Sequence, residues 1–136
     1  MASILKVNTP GRSAVDVTAQ LAEIIANAGA QSGLAHLFIQ HTSASLTIQE
    51  NADPDVMSDL LDWLDRTAPE TGPYRHRAEG PDDMPAHLKS AMTATSLSLP
   101  FEHGRLLLGT WQGVYVLEHR RAPQQRRIVV TLIPAL

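Results

Sequence analysis

Six histidines and no cysteine make imidazole the group on which chemistry near neutral pH would turn in this sequence. They are His36, His41, His76, His87, His103 and His119. No two stand at the i, i+4 spacing of a helical zinc motif, so a local two-histidine metal signature is missing. Position singles out His41, His76 and His87. The first ends an apolar strand, the second sits in a polar loop, and the third falls in the first turn of a helix. Element ends are where side chains from separate segments converge on a site. Two chemistries fit such a set. Three imidazoles could hold a divalent metal, Zn²⁺ or Mg²⁺, and leave a position open for water or substrate. Alternatively His41 works as a general base, oriented by a carboxylate, with Asp83 or Glu118 as the candidates. A helix N-terminus disfavours the cationic form of His87, which suits a neutral ligand or base.

Other polar groups are candidates for holding a ligand. Thr42, Ser43 and Ser45 make a hydroxyl-rich strand-turn directly after His41. Asn51 is not needed as a helix cap, because Asp53 takes that role, and its amide could offer a donor and an acceptor. In Gly109-Thr110-Trp111-Gln112-Gly113 two glycines mark a bulge or a close backbone approach. In an unbroken pleat Thr110 and Gln112 would share a face with Leu108, Val114 and Glu118. They then either bind a ligand or satisfy the bulge itself. No GxSxG elbow supports Ser43 as a nucleophile, and no glycine-rich phosphate loop occurs. A phosphate could still sit at the N-terminus of the helix beginning near Pro85, assisted by Lys89 and Arg105. Arg120-Arg121 and Arg126-Arg127 bracket a hairpin tip and read as solvated charge.

The positioning elements follow from periodicity and breakers. Strands are predicted over 3–8 and 13–17 around the Pro10-Gly11 turn. A helix capped by Thr18 carries Leu21, Ile24, Ile25 and Ala28 on one face and ends near Gly29. Strands 34–40 and 45–50 precede Asp53-Pro54, a capping residue followed by proline at the first helical position. The buried stripe of that second helix is Val56, Leu60, Leu61 and Leu64, and Pro69 follows its end. Residues 69–84 read as a loop, a third helix runs from about Pro85 to Ala94, and strands 96–101, 105–118 and 127–133 complete the chain. The fold class is α+β, an antiparallel sheet with three helices packed on one side.

At 136 residues the chain makes a single domain, 1–136, and its 43% hydrophobic content supplies an aliphatic core, given two Phe, two Tyr and two Trp. A formal charge of -3 argues against non-specific nucleic-acid binding. No apolar run approaches the ~20 residues that span a bilayer. The start lacks the apolar core of a signal peptide, and zero cysteine fits a cytoplasmic setting.

Four motifs in order, HTSASLTIQENADPDV from His41, Tyr74-Arg75-His76, Asp82–Lys89 and GRLLLGTWQG from Gly104, resemble the YjbQ-like family over nearly the whole chain. The resemblance implies an α+β fold and a homotrimer formed by sheets packing around a three-fold axis. It also implies a weak thiamine-phosphate synthase activity, joining a pyrimidine pyrophosphate to a thiazole phosphate. It carries over His41, His76 and His87. Many relatives read Asn-Ala-Asp-Ala-His before the third helix, whereas this chain reads Asp82-Asp83-Met84-Pro85-Ala86-His87. Pro85 restricts Met84 to extended geometry and leaves open which aspartate faces the site. The combined expectation is a small cytoplasmic enzyme of transferase type acting on a phosphorylated metabolite. The alternative is a non-catalytic trimer that binds a ligand or partner.

Overall fold

Along β8 (Gln124–Pro134) every second side chain from Arg126 to Leu132 is buried. Its partners β1 (Ala2–Thr9) and β3 (Ser32–Ile39) carry the matching alternation. The computed structural model describes residues 2–136. These strands, with β5 (Ser96–Glu102) and β6 (Arg105–Leu106), form a five-stranded sheet in the order β1-β8-β3-β5-β6. A second sheet of three strands, β2-β7-β4, uses β2 (Ser13–Asp16), β7 (Gln112–Glu118) and β4 (Ala44–Glu50). All pairings between the strands are antiparallel.

The α+β class holds, with the strands divided between two sheets whose facing sides make one core. Leu37, Ile39, Ile128 and Val130 come from one sheet, and Leu46, Val114 and Val116 from the other. Helix α1 (Thr18–Ala28) adds Leu21 and Ile25 to that cluster. Helices α2 (Pro54–Thr67) and α3 (Asp83–Met92) pack against strands of the three-stranded sheet. Among the described residues, nothing covers the outer face of the five-stranded sheet. There Ile4, Val129 and Phe38 lie side by side across three strands, as do Pro100, Leu34 and Ile133. Of these, Ile4, Leu34, Phe38 and Ile133 are all more than 40% exposed.

The stretch 105–118 is not one strand. β6 pairs with β5 in the larger sheet and β7 with β2 and β4 in the smaller, so Leu107–Trp111 carries the chain between sheets. The glycine-containing turn makes the crossing, with Gln112 N–H donating to Gly109 O at 3.1 Å and Gly109 N–H to Gln112 Oε1 at 2.8 Å. Gly113 sits at a close approach, because a Cβ there would lie 3.2 Å from Asn51 Cβ and 3.4 Å from Thr18 Oγ1. Likewise β7 and β8 belong to different sheets, so 119–123 is a crossover and not a hairpin tip.

Asp53 caps α2 as its sequence dictates, its Oδ1 accepting from Asp55 N–H at 2.9 Å ahead of Pro54. Of the predicted stripe only Leu64 is fully buried. Thr18 is the first helical residue and not the cap: Asp16 Oδ1 accepts from its N–H and its hydroxyl. The third helix starts at Asp83 and stops at Met92. Met84 is helical, not extended, because Pro85 lies in the first turn, where its missing N–H costs no intrahelical bond.

Candidate functional site

Helix α3 presents Asp83 and His87 one turn apart, and the loop before it returns His76 to the same place. His76 Nε2 lies 2.6 Å and His87 Nε2 3.1 Å from Asp83 Oδ2. The three donor atoms all fall within 4.8 Å of one another. Behind them Arg120 Nη1 lies 2.8 Å from Asp83 Oδ1, while Arg120 Nε and Arg121 N–H donate to Asp82 Oδ2. Asp83 therefore faces the cluster, and Asp82 anchors the α3 start to the 119–123 crossover. Burial pushes the Asp83 carboxyl up, but the hydrogen bond from His76 and the Arg120 guanidinium outweigh it, holding it below its ordinary value.

The hydrogen-bond pattern tests whether a cation suits this cluster. His87 Nδ1 lies 2.9 Å from the Thr42 carbonyl oxygen, which can only accept, so Nδ1 carries the hydrogen. In neutral His87 the Nε2 lone pair then points at a carboxylate oxygen that also offers lone pairs. Such an arrangement calls for a positive centre between them, a proton or a metal ion. Two imidazoles and a carboxylate are a donor set that zinc takes, with further positions left open. The Thr42 carbonyl and Arg120 are the outer contacts that fix ligand orientation at such centres.

His87 also lines an open cavity of about 640 Å³ together with His41, Thr42, Ser43, Phe38 and Arg126. Arg126 is 4% exposed and Glu118 fully buried. Glu118 accepts from Arg126 Nε at 2.7 Å and Nη2 at 2.5 Å, from Thr9 Oγ1 at 2.7 Å and from Arg120 N–H at 3.0 Å. Burial raises its carboxyl, but the Arg126 and Thr9 bonds win and keep it ionised. Arg126 is thus turned inward and is not solvated charge. Its remaining bonds go to Ser43 O and Oγ, and its Nη1 lies 3.3 Å from His41 Nδ1. His41 Nε2 accepts from Arg127 N–H at 2.9 Å, and burial followed by the Arg126 charge lowers its pKa.

The structure brings His76 and His87 together with Asp83, and sets His41 apart from them on the cavity wall. Thr42 and Ser43 line the cavity as well. Glu118 neutralises Arg126 instead of orienting a histidine. Lys89 is buried and donates to Asp65 Oδ1 at 2.5 Å, away from any phosphate position at the start of α3, where Asp82 and Asp83 sit. Arg105 lines a different cavity beside His103 and α1. Asn51, Thr110 and Gln112 lie at the opposite end of the β4–β7 ladder, where Glu50 pairs with Gln112 and Ala44 with Glu118. Six residues of strand put those two ends about 20 Å apart.

Two features escape a search for paired histidines. The Asp83/His87 pair does have i, i+4 spacing, and allowing a carboxylate as the first ligand would have found it. The other is a buried pair next to α3, with Ser45 Oγ 2.8 Å from His119 Nε2 and Thr93 Oγ1 2.5 Å from Ser45 Oγ.

A family model described as UPF0047 protein YjbQ-like matches residues 3–135. The UPF0047 protein sll1880 of Synechocystis is 49% identical over 128 residues, covering 93% of this chain and 87% of its own. The UPF0047 protein YjbQ of Escherichia coli O157:H7 is 54% identical over 100 residues, 74% of this chain and 72% of its own. Among solved structures, the conserved hypothetical protein TT1486 of Thermus thermophilus superposes with a TM-score of 0.87 at 39% identity, covering 96% of this chain and 99% of its own.

Proposed function

The chain belongs to the YjbQ-like UPF0047 family, and from that premise we propose that it is a cytoplasmic, cation-dependent enzyme acting on a small phosphorylated molecule. The observation that carries this reading is His87, whose Nδ1 is committed to Thr42 and whose Nε2 faces Asp83 Oδ2 beside His76. The imidazole donors favour Zn²⁺ over the all-oxygen preference of Mg²⁺. A bound divalent ion supplies Lewis-acid stabilisation of negative charge, as on a departing pyrophosphate or an attacked phosphoryl group. Thiamine-phosphate synthesis is one reaction with that demand. The chain's own residues hold the geometry: Arg120 fixes Asp83, Thr42 fixes His87, and the cavity wall of His41, Ser43 and Arg126 receives the ligand.

The bare apolar face of the larger sheet supports assembly with further copies, a homotrimer in this reading. Phe38 belongs both to that face and to the cavity rim, so assembly would place a second subunit beside the cavity.

Elemental analysis of purified protein and zinc titration of chelator-treated protein test the cation. Wild type binds near one equivalent per chain, and Asp83→Asn binds at least tenfold more weakly. Equal zinc affinity in the two proteins removes the cation from the mechanism.

A further inference from the structure

His41 and Arg126 face each other in an arrangement that is unsatisfied without a third group. The Arg127 backbone N–H can only donate, so His41 Nε2, 2.9 Å away, must accept with its lone pair. An imidazole with a bare Nε2 carries its hydrogen on Nδ1. Yet Nδ1 lies 3.3 Å from Arg126 Nη1, a guanidinium nitrogen that also only donates. Protonating His41 does not relieve this, since it would set Nε2–H against the Arg127 N–H. Two donors therefore meet at the cavity wall, and among the described residues Arg126 Nη1 has no other partner. Ser43 adds a third. Its Oγ accepts from Arg126 Nη2 at 3.0 Å, and its own hydrogen has no acceptor among the described residues.

We infer that His41 Nδ1–H, Arg126 Nη1–H and Ser43 Oγ–H form an oxyanion subsite that takes the phosphoryl group of the ligand. Three donors from separate side chains match the three terminal oxygens of a phosphoryl group better than the two of a carboxylate. Arg126 is preorganised for the task, because Glu118 holds Nε and Nη2 and leaves Nη1 beside His41 Nδ1 in a residue that lines the cavity. Preorganised donors gain more from an anion than freely solvated ones. The inference deepens the reading above by naming the ligand chemistry of the same cavity, but the subsite needs no cation.

The test uses inorganic phosphate as probe, titrated by calorimetry into wild-type protein in chelator, with acetate as the carboxylate arm. Wild type binds phosphate and binds acetate at least several-fold more weakly. His41→Phe and Ser43→Ala each weaken phosphate by about tenfold, the scale of a lost hydrogen bond to a charged group. Because phosphate is titrated in chelator, absence of zinc binding by wild type leaves this result standing, so loss of the cation reading and loss of this one are told apart. Nitrogen-15 spectra of wild type provide a measurement that needs no variant: His41 shows the Nδ1–H tautomer, and its Nδ1 signal moves on adding phosphate. No phosphate binding by wild type, an Nε2–H tautomer, or phosphate affinity unmoved by both His41→Phe and Ser43→Ala overturns the inference, as does tighter binding of acetate.

Discussion

Lowering the pH from 8 to 5 should destabilise this protein through one buried imidazole. His119 is 2% exposed, its Nε2 bonds to Ser45, and its Nδ1 has no partner among the described residues. Burial, and then the Lys89 charge, lower its pKa from 6.5 to about 4. A folded value below the unfolded one means that the unfolded chain binds the extra proton between those limits. Stability from this group is complete above pH 6.5 and is lost as pH falls toward 4. With those two values, linkage gives a loss of about 2 kcal/mol at pH 5 relative to pH 8, on the way to about 3 kcal/mol below both. Burial and Arg126 also lower His41, which acts in the same direction, so the His119 share must be isolated by difference. His119→Gln keeps a side-chain amide near Ser45 and removes the titration. Urea unfolding at pH 8, 7, 6 and 5, in chelator and at fixed protein concentration, gives both slopes. The variant should lose about 2 kcal/mol less than wild type over that range. The carboxylates of Asp82, Asp83 and Glu118 have lowered values and release their contribution only in more acidic solution. Identical pH slopes for His119→Gln and wild type would refute the assignment of a buried neutral His119.

Three further outcomes are expected. Arg120→Met leaves the ligands in place but frees Asp83, so zinc affinity falls by about 10–100-fold, and unchanged affinity in a calorimetric titration would remove Arg120 from the site. Gln112→Ala opens the Gly109 turn and lowers the urea-derived stability by about 0.5–1.5 kcal/mol, with zinc and phosphate binding intact; weakened phosphate binding would instead tie the turn to the ligand. Ile133→Asp puts a charge on the bare sheet face and shifts sedimentation equilibrium from trimer to monomer, whereas a wild type that is monomeric at micromolar concentration defeats the assembly reading.

What was legible in the sequence was local. Asp53-Pro54 predicts the start of α2 because a cap and a fixed φ act within four residues, and the fold keeps it. The 105–118 run misleads because its apolar content fits a buried strand, while the decision to change sheets rests on partners as distant as β5 and β4. Arg126 reads as solvent-facing for the same reason. Glu118 is eight residues earlier, and only the crossover between sheets brings it beneath the guanidinium. At the site, His76 and His87 stand out by their position at element ends. Asp83 is recognisable as a carboxylate near them, but its role depends on the helix starting at Asp83, two residues before Pro85, which puts it one turn from His87 on the same face.

The turn from His41 to Ser43 ties the two halves of the cavity together. Its Thr42 carbonyl fixes the tautomer of His87, its Ser43 carbonyl and hydroxyl accept from Arg126, and His41 closes on the Arg127 amide. Three consecutive residues thus orient His87 of the His76–Asp83–His87 cluster and two donors of the proposed oxyanion subsite. A shift of this turn would move His87 and the Arg126 contacts at once. Backbone carbonyls need no particular side chain, so Thr42 serves His87 through its carbonyl while the residue also lines the cavity. A phosphoryl group held by His41, Ser43 and Arg126 would lie in the same cavity that His87 lines, with the His76–Asp83–His87 cluster on its border. That placement is what a reaction at a phosphorylated centre requires, since catalysis depends on fixed charges aimed where negative charge develops.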